Sequence, residues 1–347
     1  MKTYDLIIIG DGISSKALCY YLTKKDPFLK KVAVVSDAEM APACSLSTTS
    51  IVSLFGTQKG LSDLGELNVD SYKAFDAFVK ETRPEGVSSA KQFHLDPQGP
   101  ESLVKRFGQA KAVSSLTQNI ELPQKTFMAQ ESSYVVYSKV FMEWLDKQVN
   151  TTPAVELVKL NYHVRSINYN DDGVVVDNGK QKLMAQTLVL CSGAHTKINE
   201  ALYPKEKPVK NSKVVSGSYI QFNNVNWGDE DLIFTLNKNN LIYRHLDNTL
   251  LLGGTHCSIG IYLPYVKELK KSFEYFQSVL GGSLSWPSFK SGEFITGLRH
   301  KGQKRRPFYG KLENNVYAQI GLYKNGFSYP FFMAPELLRL IKNDLMV

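Results

Sequence analysis

The first residues able to do chemistry are Gly10-Asp11-Gly12-Ile13-Ser14-Ser15, a G-x-G-x-x-S turn entered from the apolar run Leu6-Ile7-Ile8-Ile9. A glycine at position 10 lets the chain turn tightly after a strand, and one at position 12 lets the backbone approach a pyrophosphate. The helix that must follow offers free N–H groups and the positive end of its dipole to the phosphates. The third position of the fingerprint serves helix–strand packing, a role that Ser15 is small enough to fill. Ser36 and Asp37 close the next apolar run and are placed to reach a ribose hydroxyl, with Asp37 one residue later than the usual acidic position. By itself the turn fits NAD, FAD or a β–α connection with no ligand.

Strands and helices must hold these groups. Residues 4–9 read as a buried strand, 14–24 as a helix with Ala17, Leu18, Tyr21 and Leu22 at helical spacing, and 32–35 as a second strand. That is the strand–turn–helix–strand unit that opens a doubly wound α/β domain. Residues 41–57, rich in small polar side chains, read as a loop. Residues 60–82 and 138–149 read as helices, with a mixed, polar excursion over 84–130 between them. Strand returns at 155–160, and 164–169 with 173–177 form a hairpin about Asn170-Asp171-Asp172. Residues 188–190 are an apolar strand ending in Cys191-Ser192-Gly193-Ala194. Residues 213–296 are strand-rich around one helix at 266–280, which predicts a mostly antiparallel sheet. A strand at 316–320, a glycine-rich turn and a helix over 334–346 close the chain.

The totals narrow the classes. A chain of 347 residues exceeds what one core usually supports, so two packed domains are expected. Composition is ordinary for a soluble protein, 43% hydrophobic and 21% charged. No apolar window is long enough to span a membrane, and Lys2 opens no signal-peptide pattern. Cys19, Cys44, Cys191 and Cys257 are scattered without C-x-x-C spacing, so no metal site is expected and a reducing, cytoplasmic setting fits. The net charge of +8 is spread along the chain, which favours a basic soluble surface over a nucleic-acid partner; its densest stretch is HKGQKRR, residues 300–306.

Five segments, in order, resemble the D-amino-acid oxidase and glycine oxidase superfamily of FAD-dependent oxidoreductases. They are DLIIIGDGISS at 5–15, LVLCSGAHT at 188–196, NLIYRHLDNTLLLGGTH at 240–256, FITGLRH at 294–300 and GLYKNGFSYPFFMAP at 321–335. The resemblance implies FAD, bound without a covalent link, in a Rossmann-like domain made of residues 1–83, 150–210 and 297–347. It implies a second, α+β substrate domain on a mostly antiparallel sheet, made of residues 84–149 and 211–296. Arg299 matches the arginine of G-x-R that holds the substrate carboxylate, a task suited to its always-charged fork. Tyr243 sits on the strand that supplies a tyrosine to the same carboxylate, and Lys324 becomes a second cation near substrate. Cofactor contacts fall on Gly10, Gly12, Ser15, Ser36, Asp37, Ser47, Thr48, Thr49, Val164, Ser192, Gly193, Asn325, Gly326 and Phe327.

The chain also departs from the family pattern. The acidic-Gly-x-Pro segment after G-x-R is replaced by Gln303-Lys304-Arg305-Arg306-Pro307, the closing histidine is Leu322, and the loop before Ser47 lacks glycines. The expected activity is oxidation of the C–N bond of an amino acid or related carboxylate-bearing amine, with oxygen or another acceptor taking the electrons. The alternatives are action on a modified tRNA base, or a flavin-binding subunit without turnover.

Overall fold

Leu6 and Ile8 turn to one face of their strand and Ile7 and Ile9 to the other, and all four are buried, as a strand covered on both sides requires. The computed structural model of the chain describes residues 1–37, 39, 44–54, 62–117, 120–151, 154–203, 206–255, 264–282 and 284–346. In order the elements are β1 (Lys2–Ile9), α1 (Ile13–Lys24), β2 (Lys31–Ser36), β3 (Ile51–Val52), α2 (Asp63–Thr82), β4 (Val87–Asp96), α3 (Glu101–Phe107), β5 (Lys111–Thr117) and β6 (Ile120–Val136). Next come α4 (Ser138–Asn150), β7 (Glu156–Asn161), β8 (Ser166–Asn170), β9 (Gly173–Asp177), β10 (Lys182–Leu190), α5 (Ala194–Ile198) and α6 (Lys207–Lys210). The chain ends with β11 (Lys213–Phe222), β12 (Leu232–Leu236), β13 (Asn239–Arg244), β14 (Thr249–Gly253), α7 (Val266–Leu280), β15 (Glu293–Lys301), β16 (Phe308–Glu313), β17 (Val316–Ile320) and α8 (Tyr329–Leu345).

Among the described residues the strands form two sheets, and the fold is mixed α/β. The first has the order β16-β17-β10-β1-β2-β7, with the β8–β9 hairpin added beside the start of β10. Its centre is parallel: β1 pairs with β10 from Lys2↔Leu183 to Ile9↔Leu190, and β2 with β1 from Leu6↔Val32 to Ile9↔Val35. Helices α1, α2, α4 and α8 cover one face through a core containing Leu18, Phe75, Phe141 and Phe331. The hairpin covers the other, where Val174 and Val176 meet Ile7 and Leu188. This is the Rossmann-like half of the molecule.

The second sheet has the order β15-β11-β14-β13-β12-β4-β6-β3, with β5 on β6. Its pairings are antiparallel except β12 with β4. Helix α7 lays Leu269, Phe273, Phe276 and Leu280, one stripe at helical spacing, on Phe222, Phe234 and Leu252. The polar excursion over 84–130 resolves into β4, α3, β5 and the start of β6, whose alternation of buried and exposed residues marks a half-solvated sheet. β3 lies in the first 83 residues yet joins the second sheet, and β15 crosses position 296 while pairing with β11 along its whole length.

Helix α8 begins earlier than its periodicity predicts. Pro330 sits in its first turn, where a missing N–H costs nothing, and Pro335 is carried inside the helix. Among the described residues no helix is long and apolar enough to cross a membrane.

Candidate functional site

The carboxyl ends of β1, β2, β10 and β17 open into a cavity of about 470 Å³, closed from the other side by Ile51 of β3, Gly254 and Leu298, Arg299 and His300 of β15. A crevice at the carboxyl ends of parallel strands is where open α/β sheets bind ligands. The glycine turn forms one wall. Gly10 has φ +107°, and a Cβ there would stand 2.6 Å from the Cys191 carbonyl oxygen, so only glycine fits between β1 and β10. The Gly10 N–H donates to the Val35 carbonyl at 2.8 Å, which ties the turn to β2. Gly12 caps α1 with extended backbone and no side-chain acceptor. The N–H of Ile13 donates to Ser45 Oγ at 3.1 Å. Asp11 does not leave a bare negative charge beside this phosphate-type turn: Lys16 and Lys159 pair with it at 3.2 and 3.3 Å, and both also pair with Asp146.

Ser36 and Asp37 line the cavity beside His163 and Val164. Asp37 Oδ2 meets His163 Nδ1 at 2.5 Å, and its Oδ1 accepts the Glu39 N–H at 2.9 Å. Those two hydrogen bonds hold the carboxyl below the ordinary carboxylate range. Thr48 and Thr49 line the opposite wall, with Thr49 Cγ2 only 2.7 Å from where a Cβ on Gly253 would stand. Ser192, Gly193, Gly326 and Phe327 also face the space. Ser192 Oγ bonds Thr196 Oγ1 at 2.8 Å, while Gly193 and Gly326 would leave any Cβ in open space.

Arg299 lies across Gly217 of the neighbouring strand. A Cβ on Gly217 would fall 2.4 Å from the guanidinium carbon, so this glycine is the bed on which the side chain rests. Arg299 Nη1 is buried without a hydrogen-bond partner. His300 Nδ1 accepts the Gly321 N–H at 3.3 Å, and its Nε2 is likewise buried and unpartnered. Burial, and secondarily the charge of Lys197, lowers the His300 pKa to about 4, so its ring is neutral at physiological pH. Gln319, 1% exposed, lines the cavity with both amide atoms unpartnered. Buried orphan donors and acceptors are rare in native folds unless a ligand meets them.

Four of the expected residues do not line the cavity. Ser15 is buried in α1. Ser47 approaches Gly297 with its carbonyl oxygen, 2.6 Å from where a Cβ would stand. Asn325 turns its amide to Asn68 at 2.7 Å. Tyr243 lies away from the cavity altogether: it is fully buried in the α7-facing core, with its hydroxyl donating to the Gly228 carbonyl at 2.9 Å. The reason is strand parity. Leu241 and Tyr243 face α7, whereas Ile242 packs on the other face with Tyr219, the side on which Gly253 meets Thr49. Gly217, His300 and Gln319 were not expected as site residues. A glycine inside the strand VVSGSYIQF and a glutamine inside VYAQI are the signals in the sequence that point to two of them. His256 and Cys257 lie outside the described residues.

The family profile described as FAD dependent oxidoreductase matches residues 5–337. The chain belongs to that family. It is an FAD-dependent oxidoreductase, and the unfilled groups agree with the cofactor: a glycine cradle at Gly10 and a buried, unpaired amide at Gln319. The fold is also that of solved oxidases at low identity. Glycine oxidase from Geobacillus kaustophilus superposes with a TM-score of 0.76 at 14% identity, covering 99% of this chain and 95% of that one. Iminodiacetate oxidase from Chelativorans sp. BNC1 gives 0.76 at 14%, covering 97% and 95%. FAD-bound L-alpha-glycerophosphate oxidase from Mycoplasma pneumoniae gives 0.78 at 14%, covering 99% and 95%. No curated protein sequence matches the chain significantly.

Proposed function

We propose that this FAD-dependent oxidoreductase oxidises the C–N bond of an amino acid or related carboxylate-bearing amine. One observation carries the reading: Arg299 lines the cavity with a buried Nη1 that has no partner, resting on a glycine that leaves room for it. A guanidinium in that position binds a carboxylate with two parallel hydrogen bonds and fixes the substrate's orientation. In this reading Gly10, Gly12, Ser36, Asp37, Thr48, Thr49, Val164, Ser192, Gly193, Gly326 and Phe327 hold FAD, and Ser15, Ser47 and Asn325 support them from behind. We assign the first sheet and its helices to the cofactor and the second sheet to the substrate. When bound, FAD would supply the hydride acceptor, with oxygen or another acceptor as the final electron sink. The chain's own work is to bind the carboxylate, present the Cα–H and keep the neutral His300 ring as a hydrogen-bond partner in the cavity.

Non-covalent binding fits the two described thiols that line the cavity, Cys44 and Cys191. Burial raises both above the ordinary thiol value, Cys191 to about 12, so they remain protonated and poor nucleophiles. Acid precipitation is expected to release all the flavin into the supernatant. The activity is tested by anaerobic mixing of the yellow holoenzyme with a panel of amino acids. Members of the panel are expected to bleach the flavin, and Arg299→Ala to raise the substrate Kd by at least about tenfold, the size of a lost charge-assisted contact. Bleaching unchanged in Arg299→Ala overturns the carboxylate anchor.

A further inference from the structure

The basic turn over residues 301–306 packs against the part of the cavity wall that carries Arg299 and Gly321. Lys301 bridges to Leu322, and Gly302 lies so close to Gly321 that a Cβ on Gly321 would stand 3.1 Å from its Cα. A third segment arrives from the second sheet. The carbonyl oxygen of Lys238 lies 3.2 Å from where a Cβ on cavity-lining Gly254 would stand. Three stretches distant in sequence thus bring Arg299, Arg305 and Lys238 within electrostatic reach of Lys324, which lines the cavity with Arg299, and Lys301 shares the ring of Tyr323 with Lys324. Lys301 and Lys324 both approach the ring of Tyr323, at 5.7 and 5.8 Å, and Tyr323 holds a left-handed φ of +52°.

These charges are not balanced by the protein. Among the described residues no Asp or Glu lies within ion-pair distance of any of the five, and the described residues include all 33 Asp and Glu of the chain. The contrast with Arg306 is direct, since that neighbour is paired with Asp63. Removal from water, and then the positive charges of Arg299, Arg305 and Lys238, push Lys324 below the ordinary lysine value, although part of its side chain reaches solvent. A cluster of like charges at a cavity rim is self-repelling, and an anion seated there relieves the repulsion.

We propose that the preferred substrate carries a second anionic group, received by Lys324 in the combined field of Lys238, Lys301 and Arg305 while Arg299 holds the first. The substrate class is an amine with two anionic groups, the second a carboxylate or a phosphonate-type oxyanion. For the bond that reacts this rests on the amine-oxidation reading above; for the binding of two anionic groups it does not.

The holoenzyme is titrated at constant ionic strength with non-reacting propionate and succinate, read by the change in flavin absorption. Succinate is expected to bind at least about tenfold more tightly, the size of one further charge-assisted contact. Aspartate against asparagine and glutamate against glutamine, both enantiomers, are compared in anaerobic bleaching, with 2-amino-3-phosphonopropionate as the oxyanion arm. The same preference for the acidic member is expected, and a lower Kd for the phosphonate or the carboxylate identifies the second group. Lys324→Met is expected to collapse the acidic-to-neutral ratio, and Lys324→Arg to keep it. Wild-type ratios near one, or a ratio unchanged in Lys324→Met, overturn the proposal. Tight succinate binding with no amine bleaching keeps it and removes the amine reading; bleaching that ignores the second charge does the reverse.

Discussion

Arg299 owes its place to Gly217. A Cβ at that position would meet only the far end of the arginine, within 2.4–2.5 Å of three guanidinium atoms, so Gly217→Ala moves the guanidinium rather than the sheet. The variant is expected to weaken succinate and propionate binding about tenfold or more, as a displaced charge-assisted contact does, with its melting temperature within about 2–4 °C of wild type. Flavin-perturbation titration and a thermal melt read the two halves. At the same scale Tyr243 shows how a single step of strand parity separates a site residue from a core residue. The tyrosine that the resemblance of its strand pointed to as a carboxylate contact fills a core beside Trp227, where its hydroxyl finds a backbone acceptor.

Among the elements, β1, the glycine turn and α1 act as one unit. Gly10→Ala combines a left-handed backbone with a clash against the backbone of Cys191, which has no flexible end to yield. It is expected to cost roughly 2–5 kcal/mol and the flavin with it. Gly12→Val is expected to abolish flavin binding by filling the approach to the phosphates. Ser15→Gly touches only packing and helix propensity, so it is expected to keep the flavin at a cost on the order of 0.5 kcal/mol. Flavin absorption after purification separates the three, and flavin retained in Gly12→Val would mean that the turn does not hold the cofactor. The unit was legible in the sequence because its rules are local: an apolar run, glycines at fixed offsets and a 3.6-residue period. The strands within 84–130 were not, because β4 and β6 are defined by pairing with each other, and β4 by pairing with β12, more than 130 residues away from it.

For the whole molecule, His300 and Asp37 both contribute to the acid limb of stability. His300 has a folded pKa of about 4 against about 6.5 unfolded, so above pH 6.5 it contributes no pH dependence. As pH falls from 6.5 toward 4 the unfolded chain takes up a proton that the folded chain refuses, and stability declines by about 3 kcal/mol. Asp37 acts in the same direction at lower pH: its lowered pKa adds stability above about pH 4, lost as pH falls through the folded value. Denaturant unfolding of wild type and His300→Gln between pH 7 and 4 is expected to show a steeper fall in the former, the difference being the contribution of His300. Removing the flavin is expected to lower the melting temperature by roughly 5–10 °C, restored by FAD at about a hundredfold above its Kd, because ligand binding to the folded state alone adds about 2.7 kcal/mol. A scan with and without added FAD checks it.

The sequence by itself determined the nucleotide turn, the parallel centre of the first sheet, the helix on the second and the family to which the chain belongs. The turn, strands and helix follow from residues a few positions apart, where sterics and periodicity act without knowledge of the rest of the chain, and the family from five such segments in order. Only the tertiary structure decided which polar groups are left waiting in the cavity. Gln319, His300 and Arg299 have unpaired atoms because of what does not surround them, and that depends on strands and loops from both sheets meeting at one place. The same holds for the cations at its rim. Along the chain Lys238, Arg305 and Lys324 look like scattered solvated charges, and only the packing of three loops on Gly254 and Gly321 brings them into one field.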